Sequence, residues 1–426
     1  MTGHTTEYRR PAGDRRVVIT GLGTINPTGN TVAEFWTNLE AGKSGVRRSK
    51  NVDLGDFSVQ ISAEVDLPEN VAEYFSSKKM FRRLDRFVIL ATVAGLQAVK
   101  DSGLDIDKAP FRYGTIIGSG AGGLGAHTDN IPRMLQNGLS NGSPFYIVNA
   151  IPNTGSAYLS QEAGLMGPSF SVNSACATGN HAIGVAAMMI RSGMADAMFA
   201  GGSEAVATQI GIGAFGNILA LSTRNDSPET ASRPFDRDRN GFVLGEGASV
   251  LCLEDLEHAV KRGARIYAEL TGFSFTGDAY DLVAPHPEAA GAAECIQSAL
   301  ADARVSHDKL DLINCHGTST QMGDRIESIA INRALGVYAQ TVLAHSTKSM
   351  IGHLLGGASS TEALAAILAI DGGIVHASLN VFNQDPDVKL NVVKETMKTD
   401  KIRNVLSNAF GFGGHNAAIV LSRFEK

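Results

Sequence analysis

Ala98-Val-Lys-Asp-Ser-Gly-Leu-Asp-Ile-Asp-Lys108 aligns without a gap onto Ala299-Leu-Ala-Asp-Ala-Arg-Val-Ser-His-Asp-Lys309. Each copy is followed closely by an apolar strand that ends in a glycine-rich loop, at Thr115–Gly120 and at Leu312–Gly317. Helical periodicity alternating with short apolar strands points to the α/β class. The repeat points to two related halves sharing one interface. The boundary is expected near Arg262, giving halves 16–262 and 263–426 after a polar tail, 1–15, without periodicity. Ligands in such folds collect at strand ends facing the interface, where both glycine loops would lie.

Outward from the first copy, Phe170-Ser-Val-Asn-Ser-Ala-Cys-Ala-Thr-Gly-Asn-His-Ala-Ile-Gly184 breaks from a short β-type run into small residues and then turns helical. Cys176 falls at this strand-to-helix junction. The partial positive charge of a helix N-terminus favours a thiolate there, and Ala175, Ala177 and Gly179 leave room for a substrate. A buried structural cysteine is the bland alternative.

Three other junctions carry chemistry. Asn314-Cys-His-Gly-Thr-Ser-Thr320 places His316 at a strand's carboxyl end, beside Thr318 and Thr320. His345-Ser-Thr-Lys-Ser-Met-Ile-Gly-His353 adds Lys348 and His353 before a helix. Leu406-Ser-Asn-Ala-Phe-Gly-Phe-Gly-Gly-His-Asn416 puts Phe410 and Phe412 in a glycine loop that could swing and offer backbone N–H groups. A zinc site from Cys176, Cys315 and the histidines lacks any C-x₂-C or H-x₃-H pairing, so no metal is expected. Gly118, Gly120 and Gly123 match the dinucleotide fingerprint, but 126–130 is a poor helix start and no acidic residue stands at the required distance.

Composition narrows the classes. The 426-residue chain has a net charge of -6, which argues against a general nucleic-acid or membrane-surface binder. Its four cysteines have no disulfide or zinc spacing, no apolar run spans a bilayer, and cytoplasm (or an organelle matrix) is the expected compartment. The basic run Lys78–Arg86 reads as a solvated face or as a docking patch for an acidic partner.

With Ser-Ala-Cys-Ala-Thr-Gly at 174–179, His-Gly-Thr-Ser-Thr at 316–320, Thr-Lys-Ser-Met-Ile-Gly-His at 347–353 and Gly-Phe-Gly-Gly at 411–414, the chain resembles the β-ketoacyl-[acyl-carrier-protein] synthases, type II, from about Arg16 onward. The resemblance implies the thiolase fold, a duplicated αβαβα five-layered sandwich, a homodimer, and no resident cofactor. Substrates would ride on the phosphopantetheine of acyl carrier protein. It implies that Cys176 takes an acyl group as a thioester and that His316 and His353 stabilise the enolate formed as malonyl carrier protein loses carbon dioxide. Backbone N–H groups of Cys176 and Phe412 would form the oxyanion hole. Lys348 and its expected ion-pair partner Glu327 would organise the site, with Phe412 and Phe410 as gate. Ala121 and Phe215 would line the acyl pocket, Thr318, Thr320 and Val283 the pantetheine channel, and Lys79, Arg82 and Arg83 would dock the carrier.

Departures from the family pattern are Ala121 for a larger isoleucine, Val283 for a small polar residue, Leu219 for a basic one, Gln321 for proline and His415 for threonine. Ala121 implies a pocket that is deeper, or that opens differently towards the partner subunit, and that tolerates long or branched chains. The alternatives are a ketosynthase of polyketide or specialised lipid synthesis, and a chain-length-factor-like partner subunit, whose relatives lack the nucleophilic cysteine. A degradative thiolase would need a second cysteine near the C-terminus, where this chain has phenylalanines.

Overall fold

The computed structural model describes residues 15–425. The expected tail 1–15 thus lies outside the described residues except for Arg15, whose guanidinium pairs with Asp196 at 3.1 Å. The strands that build the sheet are β1 (Val17–Ile25), β2 (Tyr113–Gly118), β3 (Ser169–Phe170), β4 (Ala197–Ala205), β5 (Glu246–Asp255), β6 (Ala268–Gly277), β7 (Leu312–Asn314), β8 (Leu343–His345), β9 (Asn391–Val392), β10 (Asn404–Gly411) and β11 (His415–Ser422). Their order is β9-β8-β7-β10-β11-β6-β1-β5-β4-β2-β3.

The duplication is written in that order. From β3 to β1 the first half runs β3-β2-β4-β5-β1, and the second runs β8-β7-β10-β11-β6, with β9 added at the edge. The senses match as well. β2 is parallel to β3 and β4, β7 to β8 and β10, and the last two pairings of each half are antiparallel. The halves join where Val17–Ile19 of β1 pairs antiparallel with Ala268–Leu270 of β6.

Seven helices matter for the site: α1 (Arg86–Ser102), α2 (Leu124–Asn137), α3 (Thr154–Ala163), α4 (Thr178–Arg191), α5 (Ala290–Ala303), α6 (Gln321–Leu335) and α7 (Ala358–Gly372). α1 and α3 cover one half-sheet and α5 with α6 the other, while α4 and α7 pack together between them. This is the thiolase-type five-layered sandwich. Residues 358–370 of α7 are all buried, as its place in the central layer, enclosed on every side, demands. α4 shows the narrower stripe expected of its sequence, with Ile183, Ala186 and Ile190 in the core.

The aligned eleven-residue segments occupy matching places. Both close a helix on a left-handed residue, Gly103 (φ +61°) and Arg304 (φ +54°), and then make a 3₁₀ turn, Ile106–Lys108 or His307–Lys309; the first half adds a second, Pro110–Arg112, before β2. Both aspartates reach the strand beneath: Asp101 accepts from Leu22 N–H at 2.9 Å and Asp302 from Phe273 N–H at 3.1 Å.

One expectation fails here. Residues 126–130 do lie in a helix, α2, despite Pro132 within it. Its local sequence offers no capping side chain because the cap comes from elsewhere. Asp85, the N-cap of α1, accepts from Phe87 N–H at 3.1 Å and also from Ala126 N–H at 2.7 Å. Burial pushes this carboxyl up to about 6, against the pull of those N–H donors. Replacing Asp85 by alanine removes a cap from two helices at once, at about 1 kcal/mol each. The urea unfolding free energy of Asp85→Ala is therefore expected to fall by roughly 2 kcal/mol.

Candidate active site

The nucleophile's position follows from a forced turn. After β3 the chain makes a single 3₁₀ turn, Ala175–Ala177, and enters α4. Ala175 carries φ +51°, a left-handed conformation unusual for alanine. Ser174 N–H donates to Thr178 Oγ1 at 2.9 Å and Ala177 N–H to Ser174 C=O at 3.1 Å, which lock the turn. Gly411 of β10 approaches so closely that a Cβ there would stand 2.6 Å from Ser174 O and 3.2 Å from Cys176 N, so only glycine fits. The Cys176 side chain is buried, with Sγ 3.1 Å from His353 Nε2.

Burial pushes the Cys176 thiol up to about 11; Lys348 and the N–H groups of Phe412 and Cys176 pull the other way. The helix N-terminus is expected to favour a thiolate; burial opposes that pull and holds the thiol above its ordinary range. The two N–H groups expected to form an oxyanion hole do converge on this sulfur.

His316 follows β7 and His353 follows the α-turn Lys348–Ile351, their rings edge-on with centroids 5.5 Å apart. Lys348 is buried behind them. Its Nζ reaches Glu362 Oε1 at 2.5 Å, His316 C=O at 2.6 Å and His316 Nδ1 at 3.3 Å. The expected ion pair with Glu327 is thus corrected, since the carboxylate partner of Lys348 is Glu362 on α7. Glu327 on α6 instead accepts from His316 N–H and Gly317 N–H, both at 2.7 Å. Burial pushes the Glu327 carboxyl up to about 7.

These contacts fix both histidine tautomers. An ammonium and a backbone N–H can only donate. Lys348 therefore makes His316 Nδ1 an acceptor, and Leu355 N–H does the same to His353 Nδ1 at 3.2 Å. In each neutral ring the proton sits on Nε2. Burial, with Lys348 nearby, holds both imidazoles well below the usual histidine range, so neutral rings are the stable form. Cys176, His316 and His353 hold ligand-type atoms within 4.8 Å of one another. Both imidazoles present N–H bonds to the centre instead of the lone pairs a soft metal requires, and Cys315 is not in the cluster. Glu362 Oε2, Ser407 Oγ and Asn408 Oδ1 are buried and find no hydrogen-bond partner among the described residues.

A cavity of about 600 Å³ leads to Cys176, His316 and His353. Phe215, Phe410, Phe412, Thr318, Thr320 and Val283 line it. Ala121 does not: it is exposed, in the loop after β2. Lys79, Arg82 and Arg83 are exposed outside this cavity. Among the departures, Gln321 donates to Arg239 C=O at 3.2 Å. Sequence reasoning missed Glu362 and Glu204. Their signal was present, an acid set within the apolar and small residues of a buried stretch, which must find a partner.

Two family models match the chain: β-ketoacyl synthase, N-terminal domain, over residues 14–259, and β-ketoacyl synthase, C-terminal domain, over 267–382. A 3-oxoacyl-[acyl-carrier-protein] synthase 2 of Coxiella burnetii is 46% identical, covering 96% of this chain and 99% of that protein. One of Vibrio cholerae is 42% identical over the same shares. Among solved structures, a β-ketoacyl synthase from Burkholderia phymatum matches with a TM-score of 0.89 at 33% identity, covering 96% of this chain and all of that one. A type II polyketide ketosynthase in complex with its acyl-carrier protein matches with a TM-score of 0.89 at 32% identity and the same coverage.

The ground beneath Lys348 makes stability depend on acid. His376 stacks on His345 at 4.0 Å and its Nε2 lies 3.1 Å from Thr347 Oγ1. Burial lowers His376 to about 4. A histidine depressed in the folded state contributes stability above its unfolded pKa, and loses it as the pH falls toward the folded value. Between pH 6.5 and 4.5 that loss is about 2 kcal/mol. His376→Asn is expected to reduce by that amount the fall in unfolding free energy measured between pH 7 and pH 4.5.

Proposed function

Since this chain belongs to the β-ketoacyl synthase family, we propose that its site performs the decarboxylative condensation of malonyl-acyl carrier protein with an acyl group held on Cys176. The product is β-ketoacyl carrier protein, one round of fatty-acid chain elongation. The observation that carries the reading is the convergence of one buried thiol and two buried imidazoles, with ligand-type atoms within 4.8 Å of one another, on one cavity.

Acyl transfer comes first. The Cys176 sulfur attacks the acyl thioester of the carrier, the bond to the carrier's sulfur breaks, and the proton lost by Cys176 ends on that departing thiol. The N–H groups of Cys176 and Phe412 hold the oxyanion in the intermediate. With Nε2 already protonated, His353 serves as a hydrogen-bond donor to sulfur, not as its base. Malonyl carrier then binds with its thioester oxygen between His316 and His353. As the bond to the carboxylate breaks and carbon dioxide leaves, the electron pair moves into an enolate whose oxygen both Nε2–H groups stabilise. The enolate carbon attacks the acyl carbonyl, the bond to Cys176 breaks, and the thiolate recovers a proton. Neutral rings kept so by burial do not titrate away this donor pair. Lys348 and Glu327 orient the rings and the His316 loop, and the substrates arrive on phosphopantetheine, so no resident cofactor enters.

Acyl carrier protein is the proposed partner, docking through Lys79, Arg82 and Arg83. A homodimer is proposed too. Ile131, Leu135, Leu139 and Ile147 are 43%, 76%, 75% and 65% exposed on and after α2, an apolar face that a second copy would cover. Ala121 lies close to that face, because the neighbouring Gly122 packs against Ala150. Long-chain tolerance would then depend on both copies. The cytoplasm is the proposed compartment; no described helix is long and apolar enough to cross a membrane. The polyketide alternative draws on a structure at 32% identity, below the 42–46% of the fatty-acid relatives.

Intact-mass analysis after adding carrier protein loaded with a sixteen-carbon chain is expected to show one acyl adduct, absent in Cys176→Ala. Malonyl carrier should then release a β-ketoacyl product. His353→Ala should lower the condensation rate by about 10²–10³-fold, the usual effect of losing one oxyanion donor. No adduct on the folded wild-type chain with any acyl donor would contradict the reading. The double charge reversal Arg82→Glu with Arg83→Glu is expected to raise KM for carrier protein and to weaken its salt dependence, leaving kcat near wild type.

A further inference from the structure

Glu204, on β4, is a fully buried carboxylate to which the chemistry above gives no task. Its two oxygens collect four donors. Ser119 Oγ (2.8 Å) and Ala121 N–H (3.2 Å) donate to Oε1; Gly120 N–H (2.8 Å) and Gly356 N–H (3.0 Å) donate to Oε2. Three belong to the glycine loop after β2, and the fourth belongs to the turn that follows His353. The carboxylate therefore clasps two segments from different halves of the chain.

The second segment is strained. Leu355 has φ +44°, a left-handed conformation that leucine adopts only where its surroundings hold it. There is no slack at the next residue, since a Cβ on Gly356 would stand 2.5 Å from Gly120 N and 2.9 Å from Glu204 Oε2. The strained residue has a use. Leu355 N–H points at His353 Nδ1 (3.2 Å), which leaves the ring proton on Nε2, 3.1 Å from Cys176 Sγ.

We propose that Glu204 is a positioning residue for His353: by holding Gly356 N–H it keeps the Leu355 turn in place, and through Leu355 N–H it keeps His353 as the Nε2–H tautomer. The inference rests on the reading of His353 as an N–H donor to the forming enolate. It assigns to Glu204 on His353 the part that Lys348 plays on His316.

Glu204→Gln tests it at constant size. The amide trades one acceptor oxygen for an NH₂ group, so its single oxygen cannot hold Ala121 N–H on one side and Gly120 and Gly356 N–H on the other together. Nitrogen-15 spectra of histidine-labelled enzyme are expected to show His353 protonated on Nε2 in the wild type and mixed between its two nitrogens in the variant. Condensation kcat should fall on the order of 10²-fold with KM for malonyl carrier little changed, the signature of a misplaced group. Glu204→Asp, which keeps the charge but is too short to reach both segments, should show the same mixing. An unchanged Nε2–H signature in either folded variant would overturn the proposal, as would a wild-type His353 protonated on Nδ1, a readout that needs no variant to fold. The product assay on wild type judges condensation separately, so the two claims fail independently.

Discussion

The arrangement depends on a buried ammonium. Lys348 is 1% exposed, and taking such a charge out of water costs several kcal/mol unless its hydrogens are all met. Glu362 supplies the opposite charge, and His316 supplies both its carbonyl and its Nδ1. Three hydrogens have three acceptors. That requirement ties the turn after β8, the loop after β7 and the central helix α7 into one unit. It also decides which nitrogen of His316 carries a proton.

The two halves solve a common problem alike. Each has a glycine-rich loop after an equivalent strand, β2 or β7, with backbone N–H groups crowded at its tip. Such a nest ordinarily suits a phosphate. Here an internal carboxylate fills each one, Glu204 against Gly120 and Ala121 and Glu327 against His316 and Gly317. The loops are therefore structural anchors facing the site, which explains on physical grounds why a glycine fingerprint appears without a dinucleotide. Anchored from behind, the second loop can present His316 in fixed geometry, while the carboxylate in the first also holds the turn that follows His353. That geometry is the form of preorganisation that electrostatic catalysis needs.

Much of this was legible in the residues. The repeat at 98–108 and 299–309 marks helix ends that occupy matching places, because both copies must end a helix, turn and feed a strand. The junction placement of Cys176, His316, Lys348 and His353 was legible for the same reason: glycine and small residues punctuate strand ends. What could not be read were contacts made across the interface. The cap of α2 comes from Asp85, nearly forty residues upstream, so the local sequence looks like a poor helix start. Lys348 could have been paired with either of two buried acids, and spacing alone does not separate Glu327 from Glu362. Burial around Cys176 is likewise a property of three converging segments, and it opposes the pull of the helix terminus.

The central claim is that the site offers two N–H donors, each fixed by a group that can only donate to the ring's other nitrogen. Neutron diffraction from deuterium-exchanged crystals at neutral pH tests it most directly. The account predicts deuterium on Nε2 and none on Nδ1 of both His316 and His353, with three deuterons on Lys348 Nζ. Deuterium on Nδ1 of either ring, or an imidazole carrying both, would contradict it.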